Sequence, residues 1–170
     1  MRRVVFTLVT GVVVCAWAGA QGPTPLSPAD QVKLLKMNRI LIGNLIDDSL
    51  ALANAGNETE RAVACRKTAR SLANALKAAA HDEDADRVTE LAELMARVMR
   101  DGLMPNLDAA TRLVQPNSPQ AAQLAEVKKS ALGDLDDIAA AVPLDSKLAG
   151  NPKVQESLAG LAQLKSRIVP

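Results

Sequence analysis

The sequence predicts an all-α protein: an up-and-down antiparallel bundle of four main helices plus short extras, preceded by an N-terminal signal peptide, with an elongated helical hairpin that dimerises as the second expectation. Three observations carry that expectation. Beyond residue 27, apolar residues recur at three- and four-residue intervals through every long segment. Ser-Pro, Asn-Pro and Gly punctuate those segments at points that suit short turns between antiparallel neighbours. The only aromatic residues are Phe6 and Trp17, so any core beyond them is built from Leu, Ala, Val, Ile and Met. That palette favours close helix packing over sheets.

Residues 1–20 have the three zones of an export signal. Met1-Arg2-Arg3 is a positive start, Val4 to Trp17 is apolar apart from Thr7, Thr10 and Gly11, and Ala18-Gly19-Ala20 is a small-x-small site. Cleavage is expected before Gln21. The run from Val4 to Ala20 sits at the lower edge of what spans a bilayer, so retention as an anchor is the alternative. The expected location is periplasmic or extracellular, with no stable membrane span after cleavage. Of the 20 basic and 19 acidic residues, Arg2 and Arg3 leave with the signal, giving 18 against 19 and a net charge of −1. That balance attracts neither nucleic acid nor an anionic membrane. Cys15 leaves as well, so Cys65 has no intramolecular partner and packing must supply stability.

Residues 21–26 form a short Pro-rich leader, and 27–170 suit a single helical-bundle domain. Ser27-Pro28 opens a first helix that should stop at Gly56. On it Leu34, Leu35, Leu41, Ile42, Leu45, Ile46, Leu52 and Ala53 cover nearly half the circumference, which reads as a core helix. Asn38 falls within that apolar face and reads as a buried amide fixing register, with partial exposure as the alternative. Asn57 and Glu60 form a capping box for the second helix. Its seam, Ala62, Cys65, Ala69, Leu72, Leu76 and Ala79, is strictly spaced, and its small residues invite close approach. A polar hinge from His81 to Asp84 leads into a third helix bearing Val88, Leu91, Met95, Val98 and Gly102. Gly102 and Pro105 should break or kink it, with a short helix following to Val114. Ser118-Pro119 starts a further helix to about Ala141, with Leu124, Val127, Ala131, Leu135, Ile138 and Val142 inward. A loop from Pro143 leads to Asn151-Pro152, which opens the last helix, carrying Val154, Leu158, Leu161, Leu164 and Ile168.

One constellation has ligand chemistry. Asp82, Asp84, Asp86 and Glu93 occupy the first, third, fifth and twelfth positions of a helix-loop-helix calcium loop. The sixth position, where the sharp turn requires Gly, is Arg87. The competing explanation is simpler: acids gather at a helix start because the dipole favours them, and Asp82 or Asp84 serves as the cap. Cys65 lies on an apolar seam, where a thiol packs as a small hydrophobe. His81 ends a helix, where it complements the dipole. Arg61, Arg66 and Arg70 could recognise a carboxylate or phosphate, but read first as a solvated face.

The inventory excludes more than it assigns. There is no C-x-x-C-H, H-E-x-x-H, G-x-S-x-G or phosphate loop. No aromatic platform follows the signal for stacking sugars or bases. No catalytic residue and no cofactor are expected, although Asp47, Asp48, Asp136 and Asp137 leave room for a carboxylate site. The expected role is a non-enzymatic interaction or scaffold module with an unknown protein partner or a second copy. It would use apolar surface left over on the first or last helix. The alternative is a periplasmic small-ligand or calcium-binding protein.

Overall fold

The computed structural model describes residues 27–142 and 146–168, and among them all regular structure is helical. The expected signal, the leader and residues 143–145 lie outside the described residues. The elements are α1 (Pro28–Ala53), α2 (Glu58–His81), α3 (Ala85–Arg97), a π-helical turn (Val98–Leu103), α4 (Met104–Leu113), α5 (Pro119–Ala141), a 3₁₀ turn (Lys147–Gly150) and α6 (Pro152–Ile168).

The helix starts follow from local chemistry. Asn57 is in extended backbone and its side chain accepts the Glu60 N–H at 2.9 Å. Glu60 reaches back to accept the Gly56 N–H at 2.8 Å, one residue before the cap, which ties the incoming chain to the first turn. Ser118 caps α5 by accepting from Ala121, with Pro119 at the first helical position. Asn151 accepts from Lys153 at 3.0 Å to open α6.

α2 is the hub. It packs against α1, α3, the π-helical turn, α4 and α5. A helix with so many neighbours needs short side chains in several directions, and α2 buries Ala62, Ala64, Cys65, Ala69, Ala73, Ala79 and Ala80 beside Leu72 and Leu76. Facing it, α3 and the π-helical turn bury Val88, Leu91, Met95, Met99 and Leu103. α6 packs against α3 and α5 through Val154, Leu161, Leu164 and Ile168, so the C-terminal helix belongs to the same core.

Of the break or kink expected at Gly102 and Pro105, the structure shows an interruption without a break: the chain runs from α3 into α4 through the π-helical turn. Pro105 has no N–H to donate, and its ring collides with the carbonyl a turn earlier in a regular α-helix. Widening the turn resolves both problems: the Met104 N–H reaches Met99 O, and the Asn106 side chain donates to Gly102 O at 2.7 Å. The same turn presses Gly102 onto α2. A Cβ there would stand 2.9 Å from Cys65 Sγ.

The expectation for α1 also needs correction. Leu35, Ile42, Ile46 and Leu52 are exposed, and of the expected inward set only Leu41 is fully buried. The reason is that, among the described residues, α2 is the one helix that packs along the length of α1. A single neighbour covers a stripe of about 100°, and Leu34, Met37, Leu41 and Leu45 fill it.

Gly102→Ala is expected to destabilise the protein by roughly 1–3 kcal/mol through overpacking against Cys65. Cys65→Ala removes the obstructing sulfur, so the double variant should recover at least half of that loss in urea denaturation. Strictly additive losses would mean that this contact does not set the spacing between α2 and the π-helical turn.

Candidate functional site

The carboxylates with calcium spacing are not brought together. α2 closes at Asp82 with the Glu83 N–H on Ala80 O and the Asp84 N–H on Ala79 O, the paired bonds of a Schellman turn. Glu83 takes the left-handed position, φ 54°. Asp84 at once caps α3, accepting the Arg87 N–H at 3.0 Å. The chain reverses within Asp82–Asp84, so Asp86 and Glu93 are already residues of α3 and cannot wrap a loop round an ion. Asp82 is held by Lys33 from α1, at 2.8 and 2.9 Å. Among the described residues there is no group of three or more His, Cys, Asp or Glu side chains that could hold a metal ion.

His81 is exposed in the last turn of α2. Cys65 is buried, and burial pushes its thiol up, which keeps it protonated and inert at neutral pH.

Two of the arginines read as a solvated face are used structurally. Arg66 and Arg70 project from α2 onto Asp134 of α5, which is only 2% exposed. Arg70 hydrogen-bonds Asp134 Oδ1, and Arg66 lies 3.5 Å from Oδ2. Arg70 and Lys77 also reach Asp137, at 3.7 and 3.1 Å. Arg61 stays outside this set, beside Glu58. The sequence carried a signal for this site: Asp134 continues the 3-4-3-4 seam of Leu124, Val127, Ala131 and Ile138. An acid at a seam position needs a cationic partner on the facing helix, because a lone buried carboxylate is too costly. The arrangement ties α5 to α2; it has the character of a lock, since both basic partners are engaged.

The surface best suited to function is the outer face of α1. At 100° per residue, Val32, Leu35, Arg39, Ile42 and Ile46 form a 3-4-3-4 seam on the side away from Leu41, with Leu50 beside it. Leu35 is 68%, Ile42 55%, Ile46 54% and Leu50 57% exposed. Among the described residues, no helix is long and apolar enough to cross a membrane.

Between α1 and α2 runs a groove of about 620 Å³. It exists because α2 offers Ala75, Ala78 and Ala79 there, too short to fill the space beneath Leu34, Met37 and Leu41. Its rim carries Asn44, Ser71 and Asn74, with Lys33 and Asp82 at one end. Asn38, expected to be buried, is half-buried at this rim and accepts from Arg87 Nη2 at 2.8 Å, linking α1 to α3.

Comparison of the chain with protein-family models, with curated proteins and with solved structures finds no match.

Two outcomes are expected. Glu83→Gly should stabilise the protein by about 1 kcal/mol, because glycine takes the left-handed position without strain; the lost ion pair with Lys147 is exposed and contributes little. Thermal unfolding checks this, and a lower midpoint would show that Glu83 is not strained. Asp134→Asn should cost roughly 2 kcal/mol in urea denaturation, below the full penalty of a broken buried pair because both arginines reach water. An unchanged midpoint would make the lock energetically silent.

Proposed function

We propose that this chain is an exported, non-enzymatic protein of up-and-down antiparallel bundle form that acts as an interaction or scaffold module. The single observation that carries the reading is the outer face of α1, where large aliphatic side chains face solvent on the side away from α2. Leaving such a face uncovered is unfavourable at about 25 cal/mol per Å² of apolar surface, and a helical partner laid along the seam removes that cost. Residues 1–20 support export through their charge, apolar run and cleavage site. The raised Cys65 thiol and the engagement of Arg66, Arg70 and Asp134 with one another support a non-enzymatic role. The order of paired residues supports the up-and-down form: Lys33 meets Asp82 and Asp48 meets Ser71 across α1 and α2, a reversed order.

A second reading, binding of a small amphipathic ligand, is favoured by the groove, whose alanine floor and amide rim resemble the mixed lining of ligand sites.

Photo-crosslinking in the exported fraction of the host separates these readings. A crosslinker at position 42 should give a protein adduct, one at the exposed α5 residue Glu126 should not, and the chain should begin at Gln21. Adduct at neither position, in protein shown to be folded, would overturn the interaction reading. A small-molecule mass adduct in native mass spectrometry, lost in Ala78→Leu, would put the groove first.

A further inference from the structure

We propose that the occupant of the outer α1 face is a second copy of this chain, with the two α1 helices paired antiparallel. The inference rests on the reading of that face as a docking surface and names its partner.

Charge decides the orientation. The N-terminal half of α1 carries Lys33, Lys36 and Arg39 against the single acid Asp30, and the C-terminal half carries Asp47 and Asp48 with no cation. Lys33 is engaged with Asp82, and Asp48 accepts from Ser71. Lys36, Arg39 and Asp47 are exposed and, among the described residues, make no ion pair. Two antiparallel copies set the basic half of each α1 against the acidic half of the other; parallel copies set like against like. A two-fold relation of this kind makes one patch complementary to itself. A heterologous partner would have to supply both a matching apolar seam and a matching charge reversal.

Shape agrees with charge. The seam of Val32, Leu35, Arg39, Ile42 and Ile46 has the spacing that packs knobs into holes against another helix. Gly43 adjoins it near the middle of α1, and a Cβ built there meets nothing within 4 Å. The missing side chain lets two backbones approach where the axes cross. Arg39, the one cation on the seam, breaks the apolar run at the point where it can reach the acidic half of the other copy. A polar residue at such a position selects orientation at some cost in affinity. A helix face about 39 Å long and about 10 Å wide covers about 390 Å² on each copy, the size of a weak, transient contact, so association no tighter than the micromolar range is expected.

The test is sedimentation equilibrium on protein purified from the exported fraction of its host, from about 1 μM to a few hundred μM, spanning the expected affinity. A reversible monomer–dimer equilibrium is expected. Ile42→Asp, at an exposed site, should abolish it while circular dichroism stays helical. Arg39→Glu alone and Asp47→Arg alone should each weaken the dimer about tenfold, the effect of about 1.4 kcal/mol. Together they should restore it, because the antiparallel pair sees the charges exchanged; a parallel pair would show no rescue. A monomer throughout, a dimer indifferent to Ile42→Asp, or failed rescue would each overturn the proposal. A monomer that still crosslinks through position 42 to a different protein overturns it while leaving the docking reading of α1 intact.

Discussion

Close approach to α2 is the constraint on which the rest of the structure depends. Five elements lie against this one helix, and they can do so because its buried surface is largely alanine, with a thiol at Cys65. Gly102 meets that thiol where a methyl group would not fit, which fixes the distance between α2 and the π-helical turn. The wider turn in turn lets Pro105 sit in a continuous helix instead of ending one. Seen this way, Cys65, Gly102 and Pro105 are parts of a single packing solution. A small core atom, a missing Cβ and a missing N–H are each accommodated by the others.

The hub does not treat its neighbours alike. Toward α5 it offers charge: Arg66, Arg70 and Lys77 hold Asp134 and Asp137, so this contact has a fixed register. A buried carboxylate adds little net stability once desolvation is counted, but it penalises any slip that would leave it unpaired. Toward α1 the hub offers alanine over much of the length, and the result is a groove with polar ties at Lys33–Asp82 and Asn38–Arg87. α5 is locked in place; α1 is laid on one side and retains a second apolar face. That asymmetry is why the functional reading concentrates on α1. A helix apolar on both sides belongs between two layers, and the described residues supply one of them.

The hinge between α2 and α3 shows why spacing alone misleads about ligands. Acidic residues at the intervals of a calcium loop also arise wherever one helix closes and the next begins, since carboxylates favour both the cap and the first turn. Here Asp84 is used as a cap and Asp82 as an ion-pair partner for α1. A twelve-residue coordinating loop requires the backbone to remain open between the first and last ligand, and this backbone turns over at once.

From the sequence alone came the helical class, the capping residues Asn57, Ser118 and Asn151, and the inward stripes of α2, α3, α5 and α6. These depend on interactions within a few residues, where periodicity and hydrogen-bonding geometry act directly. The tertiary structure decided what local pattern leaves open. Leu35 and Ile42 look the same in sequence as Leu41, and only the number of neighbouring helices exposes the first two and buries the third. Arg66 and Arg70 look like any wet face until Asp134 arrives from 64 residues away to meet Arg70. Pro105 reads as a break until packing against α2 makes a widened turn the better alternative. In each case the deciding term is the burial or pairing of a group by a distant segment, which periodicity along one helix does not encode.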